Sequence, residues 1–349
     1  MDSTNKTSQS PKITKETKNK IQVEFDRTPL SERMRAKFLS MFFLQKVVWY
    51  LFRLILLIGV SYVILFPFFA KISSSFMSPD DFVDVTVRLV PKYPTLDTYK
   101  AIITDNKYVE ALFNTVVLSV SCAIMQTFVC CVVAYGFAKF KFKGNGIFFL
   151  AVIFTMVVPH PTLQLSMFMK FRYFDILGIF NILGEKLKVL DFSSFNFHNT
   201  YIPLFILSLT ALAFKNGLYI FMLRQFFKGV PDELEESAYI DGSGVFRTFI
   251  KIILPLSVPM MVTVFMFAFS WQWTDNFYTT VFFTTSGPHL MPKIVNIPKS
   301  LNTTFAGQNM YVAAIRNTCG LMIIAPLIVV YLFAQKSLIQ GIERSGITG

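Results

Sequence analysis

Arg224 to Pro255, RQFFKGVPDELEESAYIDGSGVFRTFIKIILP, is a polar, acidic stretch set between two apolar runs. Pro231 suits a helix start, because its missing N–H is one of the groups a first turn leaves unpaired anyway. Asp232, Glu233, Glu235 and Glu236 then fill the first turns, where carboxylates complement the positive end of the helix dipole. Asp241-Gly242 ends the helix, since glycine takes the left-handed conformation of a cap at little cost. A second amphipathic helix is predicted from Val245 toward Ile252-Ile253-Leu254-Pro255. The stretch therefore reads as a compact helix–turn–helix tied at both ends to apolar segments, a shape able to pass displacement from a soluble partner into a membrane.

The flanks are long enough to be membrane spans. A crossing helix needs about 20 mainly apolar residues. Six segments qualify: 47–69, 113–138, 146–169, 201–223, 252–276 and 317–334. The composition agrees. Of 349 residues, 53% are hydrophobic, only 15% are charged and 40 are Phe, with a mean hydropathy of +0.52. Soluble enzymes, disordered scaffolds and nucleic-acid-binding domains are thereby excluded as accounts of the whole chain. The net charge of +12 reflects lysine and arginine gathered on the cytoplasmic side. With the N-terminus inside, inner segments carry 19 of the 33 basic residues, and the short 139–145 turn holds Lys139, Lys141 and Lys143 with no acid. Both termini are predicted to be cytoplasmic.

Residues 1–46 form a polar tail. Its first part, 1–26, is rich in Ser, Thr, Lys and Asn and is expected to be unstructured. Thr28-Pro29 then opens an interfacial amphipathic helix over about 29–46, with Leu30, Met34, Phe38 and Met41 on one face. The six-span domain covers 47–342, with the loop at 225–255, and 343–349 is a short cytoplasmic end. Cys122, Cys130, Cys131 and Cys319 all lie in apolar runs and form no CxxC pair.

The 224–255 stretch resembles the EAA loop of ABC importer permeases. That pattern is Glu-Ala-Ala, three residues, Gly, nine residues, Ile, one residue, Leu-Pro. Here Glu236-Ser237-Ala238 is followed at the same spacings by Gly242, Ile252 and Leu254-Pro255, with Ser237 the one departure. The flanking Leu223-Arg224-Gln225-Phe226-Phe227 and the Pro231–Glu235 run resemble the carbohydrate-importer branch, in particular that of the second maltose permease. The tail and the segment at 185–197 look like additions to the family pattern. The resemblance implies an all-α integral membrane protein of the type I importer fold in the bacterial cytoplasmic membrane. It also implies a second homologous permease, two ABC ATPase subunits that bind ATP and Mg, an extracellular solute-binding protein and a sugar or oligosaccharide cargo. Glu235, Glu236, Ser237, Ala238, Asp241, Gly242, Ile252, Leu254 and Pro255 would couple the chain to the ATPase. Glu236 would pair with a basic residue there, Ala238 would permit close packing and Gly242 would make the turn.

The chain itself contains no GxxxxGK[ST] loop and no Gly-Lys at all, so it is expected to hydrolyse nothing and bind no cofactor. His160, His198 and His289 stand far apart with no HExxH, so no metal site is expected. Ionisable residues inside spans mark candidate solute paths. Lys215, with Asn216, interrupts the fourth apolar run, and Trp271, Trp273, Asp275 and Asn276 close the fifth; aromatic faces and amide or carboxylate groups suit sugar binding. A lysine paired within a complex and an interfacial aromatic belt are the competing readings of these two groups. An ABC permease for a non-sugar solute and a secondary transporter remain as alternative functions.

Overall fold

The computed structural model describes residues 12–16, 22–26, 41–176, 178–182, 194–213, 215–284, 287–304 and 308–346. The chain divides into two units, Met1–Ala70 and Lys71–Gly349.

In the first unit, β1 (Lys12–Glu16) pairs antiparallel with β2 (Gln22–Asp26), Lys12 opposite Asp26 and Glu16 opposite Gln22. At 12–16 and 22–26 this hairpin departs from the unstructured reading of 1–26. Gln22-Val23-Glu24-Phe25-Asp26 alternates polar and apolar residues with the period of a strand, a local signal that composition conceals. The expected amphipathic helix falls mostly on 27–40, outside the described residues. Helix α1 (Met41–Ser74) is apolar around its circumference, and Arg53 lays its guanidinium 5.3 Å from the Trp49 ring centroid.

The regular elements of the second unit are helices among its described residues, apart from one isolated antiparallel bridge between Phe174 and Phe195. A polar connection leads from α1 to α2 (Asp97–Asp105). It is knotted by Asp81, buried, which accepts from the backbone N–H of Ser78 and Tyr93. Close by, Asp84 accepts from the Thr86 hydroxyl at 2.6 Å and backbone N–H at 2.9 Å, and pairs with Lys92 at 3.1 Å; these contacts hold its carboxyl down to about 2.

After α2 come α3 (Tyr108–Lys139), α4 (Asn145–Val157), α5 (Gln164–Arg172), α6 (Ile202–Leu209), α7 (Asn216–Lys228), α8 (Glu233–Ile240), α9 (Val245–Thr248), α10 (Leu254–Trp273), α11 (Phe277–Phe282) and α12 (Gln308–Gly346). Helix α3 is the hub: α6, α7 and α10 pack on it, and α12 packs on α10. Cys130, Cys131, Tyr219, Leu223, Phe227, Met260, Val264 and Trp273 form the buried centre.

Among the described residues, four helices are long and apolar enough to cross a membrane, and two of the six expected spans are interrupted. The 146–169 segment is α4 followed by a 3-10 turn (His160–Leu163) and α5, with the two limbs bent by 96°. Pro159 and Pro161 lack the N–H that would continue the ladder, and Pro159 pushes the residue before it out of the helical region; Val158 accordingly has ψ 120°. The 201–223 segment is α6 and α7 separated by a tight turn in which Ala211 and Lys215 have φ of 59° and 73°. There the Thr210 hydroxyl takes the Ile206 carbonyl at 2.7 Å, and the N–H groups of Leu212 and Ala213 both fold back to the Leu207 carbonyl at 2.9 Å. No Gly or Pro marks this turn; Gly217, just beyond it, lets α7 lie directly on α4. A Cβ at Gly217 would sit 2.6 Å from Thr155 Oγ1 and 2.9 Å from the Val152 carbonyl oxygen.

Candidate functional site

Helix α8 lies against the end of α3. Its N-cap is Asp232 rather than Pro231, and Glu233, Glu235 and Glu236 occupy its first turn. The Asp232 side chain reaches Lys139 Nζ at 2.5 Å, and this bond holds its carboxyl below the usual range. Lys139 also donates to the Val230 carbonyl at 2.7 Å and lies 3.7 Å from Glu235 Oε1. The Tyr135 hydroxyl donates to Glu235 Oε2 at 3.2 Å. The helix ends in a full glycine cap. Gly242 has φ 80°, the Ser243 N–H bonds the Ala238 carbonyl at 2.9 Å, and the Gly242 N–H bonds the Tyr239 carbonyl at 3.0 Å.

Of the nine loop positions predicted to couple, Glu235 and Ala238 are buried, Ile252 and Leu254 are half-buried, and Glu236, Ser237, Asp241, Gly242 and Pro255 are exposed. Two neighbouring glutamates thus face opposite ways, Glu235 inward to α3 and Glu236 outward. The exposed side of this region mixes acidic and apolar groups: Asp232, Glu233 and Glu236 are exposed beside Tyr239 and Ile240, the last 86% exposed, and Val245 and Phe246, the latter 76% exposed, follow on α9. The predicted second helix is not a separate element. Helix α9 runs through one π-helical turn, Phe249–Ile253, into α10, so the chain from Val245 to Trp273 is one continuous rod. The wide turn accommodates Pro255 at the start of α10 without a break.

Three cavities run toward the opposite end of the fold. A polar recess of about 760 Å³ is lined by Lys107, Glu110, Thr280, His289, Lys293 and Asn276. Asn276 also borders a second cavity of about 220 Å³, with Gln126, Trp271, Gln272, Asp275 and Tyr278 on its wall. Ala213 joins that one to a third, of about 140 Å³, lined by Thr155, His160 and Lys215. Lys215 Nζ sits 4.7 Å from the Trp271 ring centroid.

The family model described as binding-protein-dependent transport system inner membrane component matches residues 126–344. The chain belongs to this family. The permease is similar to a putative ABC transporter permease protein of Caldicellulosiruptor sp. (strain Rt8B.4), 25% identical over 81% of this chain and 91% of that one. It is also similar to the galactooligosaccharides transport system permease protein of Bacillus subtilis (strain 168), 25% identical over 86% of this chain and 95% of that one. Its fold is like that of a chain in the crystal structure of a bacterial ABC transporter involved in the import of the acidic polysaccharide alginate. That match has a TM-score of 0.61 at 19% identity and covers 84% of this chain and 97% of that one.

In this permease the predicted path residues separate. Trp271, Asp275 and Asn276 meet at the second cavity, and Lys215 reaches the same Trp271 from the third. Trp273 lines none of these three cavities. It is buried and its Nε1–H donates to the Ile323 carbonyl at 2.9 Å, fastening α10 to α12. Asn216 is fully buried, with no hydrogen-bond partner for its side chain among the described residues. Asp275 accepts from the Thr279 N–H at 3.0 Å and so caps α11. Sequence reasoning missed Gln126, whose amide donates to the Ser208 hydroxyl at 3.2 Å across α3 and α6; a lone Gln within the 113–138 apolar run was the available signal. It also missed Tyr135 and Lys139, for which only their nearness to the end of a span could have pointed to the acidic loop.

Proposed function

We propose that the permease is the non-catalytic membrane subunit of an ATP-driven importer that passes a sugar or oligosaccharide delivered by an extracellular binding protein. The chain crosses the membrane six times, with α4–α5 and α6–α7 as the interrupted crossings, both termini in the cytoplasm and the Lys139 end of α3 inside. A second homologous permease and two ATPase subunits, which bind ATP and Mg, complete the assembly. One observation carries this reading: α8 is a capped helix that exposes Glu236, Tyr239 and Ile240 and is joined by one tight turn to the Val245–Trp273 rod, which runs into the core of the fold. An ATPase holding that helix would move the rod and rock the spans between inward-facing and outward-facing states. The cavity residues Gln126, Trp271 and Asn276 offer an aromatic face and amides suited to sugar rings and hydroxyls. The likeness to the galactooligosaccharides permease of Bacillus subtilis supports the cargo class.

The test is uptake of a panel of radiolabelled neutral and acidic oligosaccharides, with mass spectrometry of what co-purifies with the tagged chain. A second permease and a Walker-motif ATPase are expected in the complex. Gly242→Asp and Glu236→Lys should each abolish uptake while the chain still inserts. Normal uptake with both substitutions would remove the coupling role, and recovery of the chain alone as a homo-oligomer would remove the importer reading.

A further inference from the structure

The loop is joined covalently to α7 and α9 only, and each junction contains glycine: Gly229 on one side, Gly242 and Gly244 on the other. Helix α3 has no covalent link to the loop, yet it is the hub on which α6, α7 and α10 pack. The contact between α8 and α3 therefore gives displacement of the loop a second route to the centre of the fold, beside the Val245–Trp273 rod. That contact is built with care. The Lys139 side chain is only 8% exposed and is ringed by the Val230 carbonyl, Asp232 and Glu235. The Tyr135 hydroxyl holds the other Glu235 oxygen, while its ring packs 4.7 Å from Phe249 at the root of α10 and 5.6 Å from Phe227 of α7. A buried charge that loses its partner is strongly penalised, so this cluster resists opening. Gln126, on the wall of the second cavity, lies on the same unbroken helix about 20 Å from Lys139 at about 1.5 Å per residue.

We propose that Lys139 and Tyr135 are positioning residues that lock α8 onto α3. The loop and α3 then move as one body, and α3 delivers the ATPase-driven displacement to Gln126 at the cavity. Glu235 serves this inward lock, leaving Glu236 for the outward contact. The inference rests on the importer reading, since it supplies the moving partner, but the lock itself is a property of this chain.

Nitroxide labels at Ser237→Cys on α8 and Lys141→Cys beyond α3, in a background with the four buried native cysteines replaced by alanine, report the α8–α3 distance by pulsed electron paramagnetic resonance. In the purified complex a single narrow distance is expected, the same without nucleotide and with Mg-ATP trapped by vanadate. Lys139→Met should broaden that distribution and abolish uptake of the panel sugars while ATP hydrolysis continues; Lys139→Arg should restore both. A distance that shifts between the two nucleotide states with the lock intact overturns the proposal, as does a distribution that stays narrow in Lys139→Met. If no ATPase accompanies the chain, the importer reading fails, and the width of the distribution in the subunit alone still decides the lock.

Discussion

Gly217→Ala tests the contact that seats α7 on α4. A Cβ there would lie 2.6 Å from Thr155 Oγ1, 2.8 Å from Met156 Cγ and 2.9 Å from the Val152 carbonyl oxygen. The methionine can rotate away. The threonine is held by its own bond to the Val152 carbonyl at 2.7 Å, and the carbonyl belongs to the helix backbone. The two helices must therefore separate, and overpacking of this kind costs about 1–3 kcal/mol. Denaturant unfolding in mixed micelles, followed by tryptophan fluorescence, measures the loss. Thr155→Ala combined with Gly217→Ala removes the closest contact but not the carbonyl, so part of the loss should return, with a coupling of about 0.5–1 kcal/mol in the double-mutant cycle. A change below about 0.3 kcal/mol for Gly217→Ala, inside the error of additivity for such measurements, would refute the close approach. Because Thr155, Gly217 and Lys215 line the same cavity, uptake should fall together with stability in the single variant.

Two further outcomes separate architecture from transport and report on the outer connection. Trp273→Phe removes the bond to the Ile323 carbonyl and should cost about 1 kcal/mol of stability while uptake persists, whereas Trp271→Ala should reduce uptake with stability unchanged, because that ring is exposed and borders the cavity. The Asp84 carboxyl is lowered from 3.8 to about 2 in the fold, so it favours the folded 79–95 segment above pH 3.8 and that contribution disappears as pH falls toward 2; pepsin nicking of this segment should rise across that window and lose the dependence in Asp84→Asn.

How much of this was legible depended on the range of the signal. The cap at Gly242 is local: acidic first turn, glycine stop and chain reversal all lie within a dozen residues, and the structure gives that glycine the positive φ its position requires. The bend at 158–161 was also written in Pro159 and Pro161, although a hydropathy window runs straight through it. The turn at 210–215 was not legible, because Ala211 and Lys215 adopt left-handed backbone angles that neither residue favours; packing around Gly217 and the Thr210 back-bond impose them. Trp271 and Trp273 show the same limit at the site. They stand two residues apart in one aromatic motif, yet helical geometry turns one into the core and the other toward Lys215. The partners of Lys139 lie more than 90 positions along the chain, beyond the reach of any spacing rule.

The proposed α6–α7 crossing also bears on how the chain is made. With a rise of about 1.5 Å per residue, α6 spans roughly 12 Å and α7 roughly 20 Å, each short of the ~30 Å hydrocarbon thickness. Neither piece can hold a transmembrane position by its own apolarity, and the carbonyls freed at 210–215 need protein or water around them rather than lipid. Helix α3, already synthesised, offers one wall. The other, α10, emerges only after the acidic loop has left the ribosome. On the proposed topology, insertion of this region would be provisional during synthesis until the Val245–Trp273 rod closes over it, which would make the loop's emergence a step in assembly.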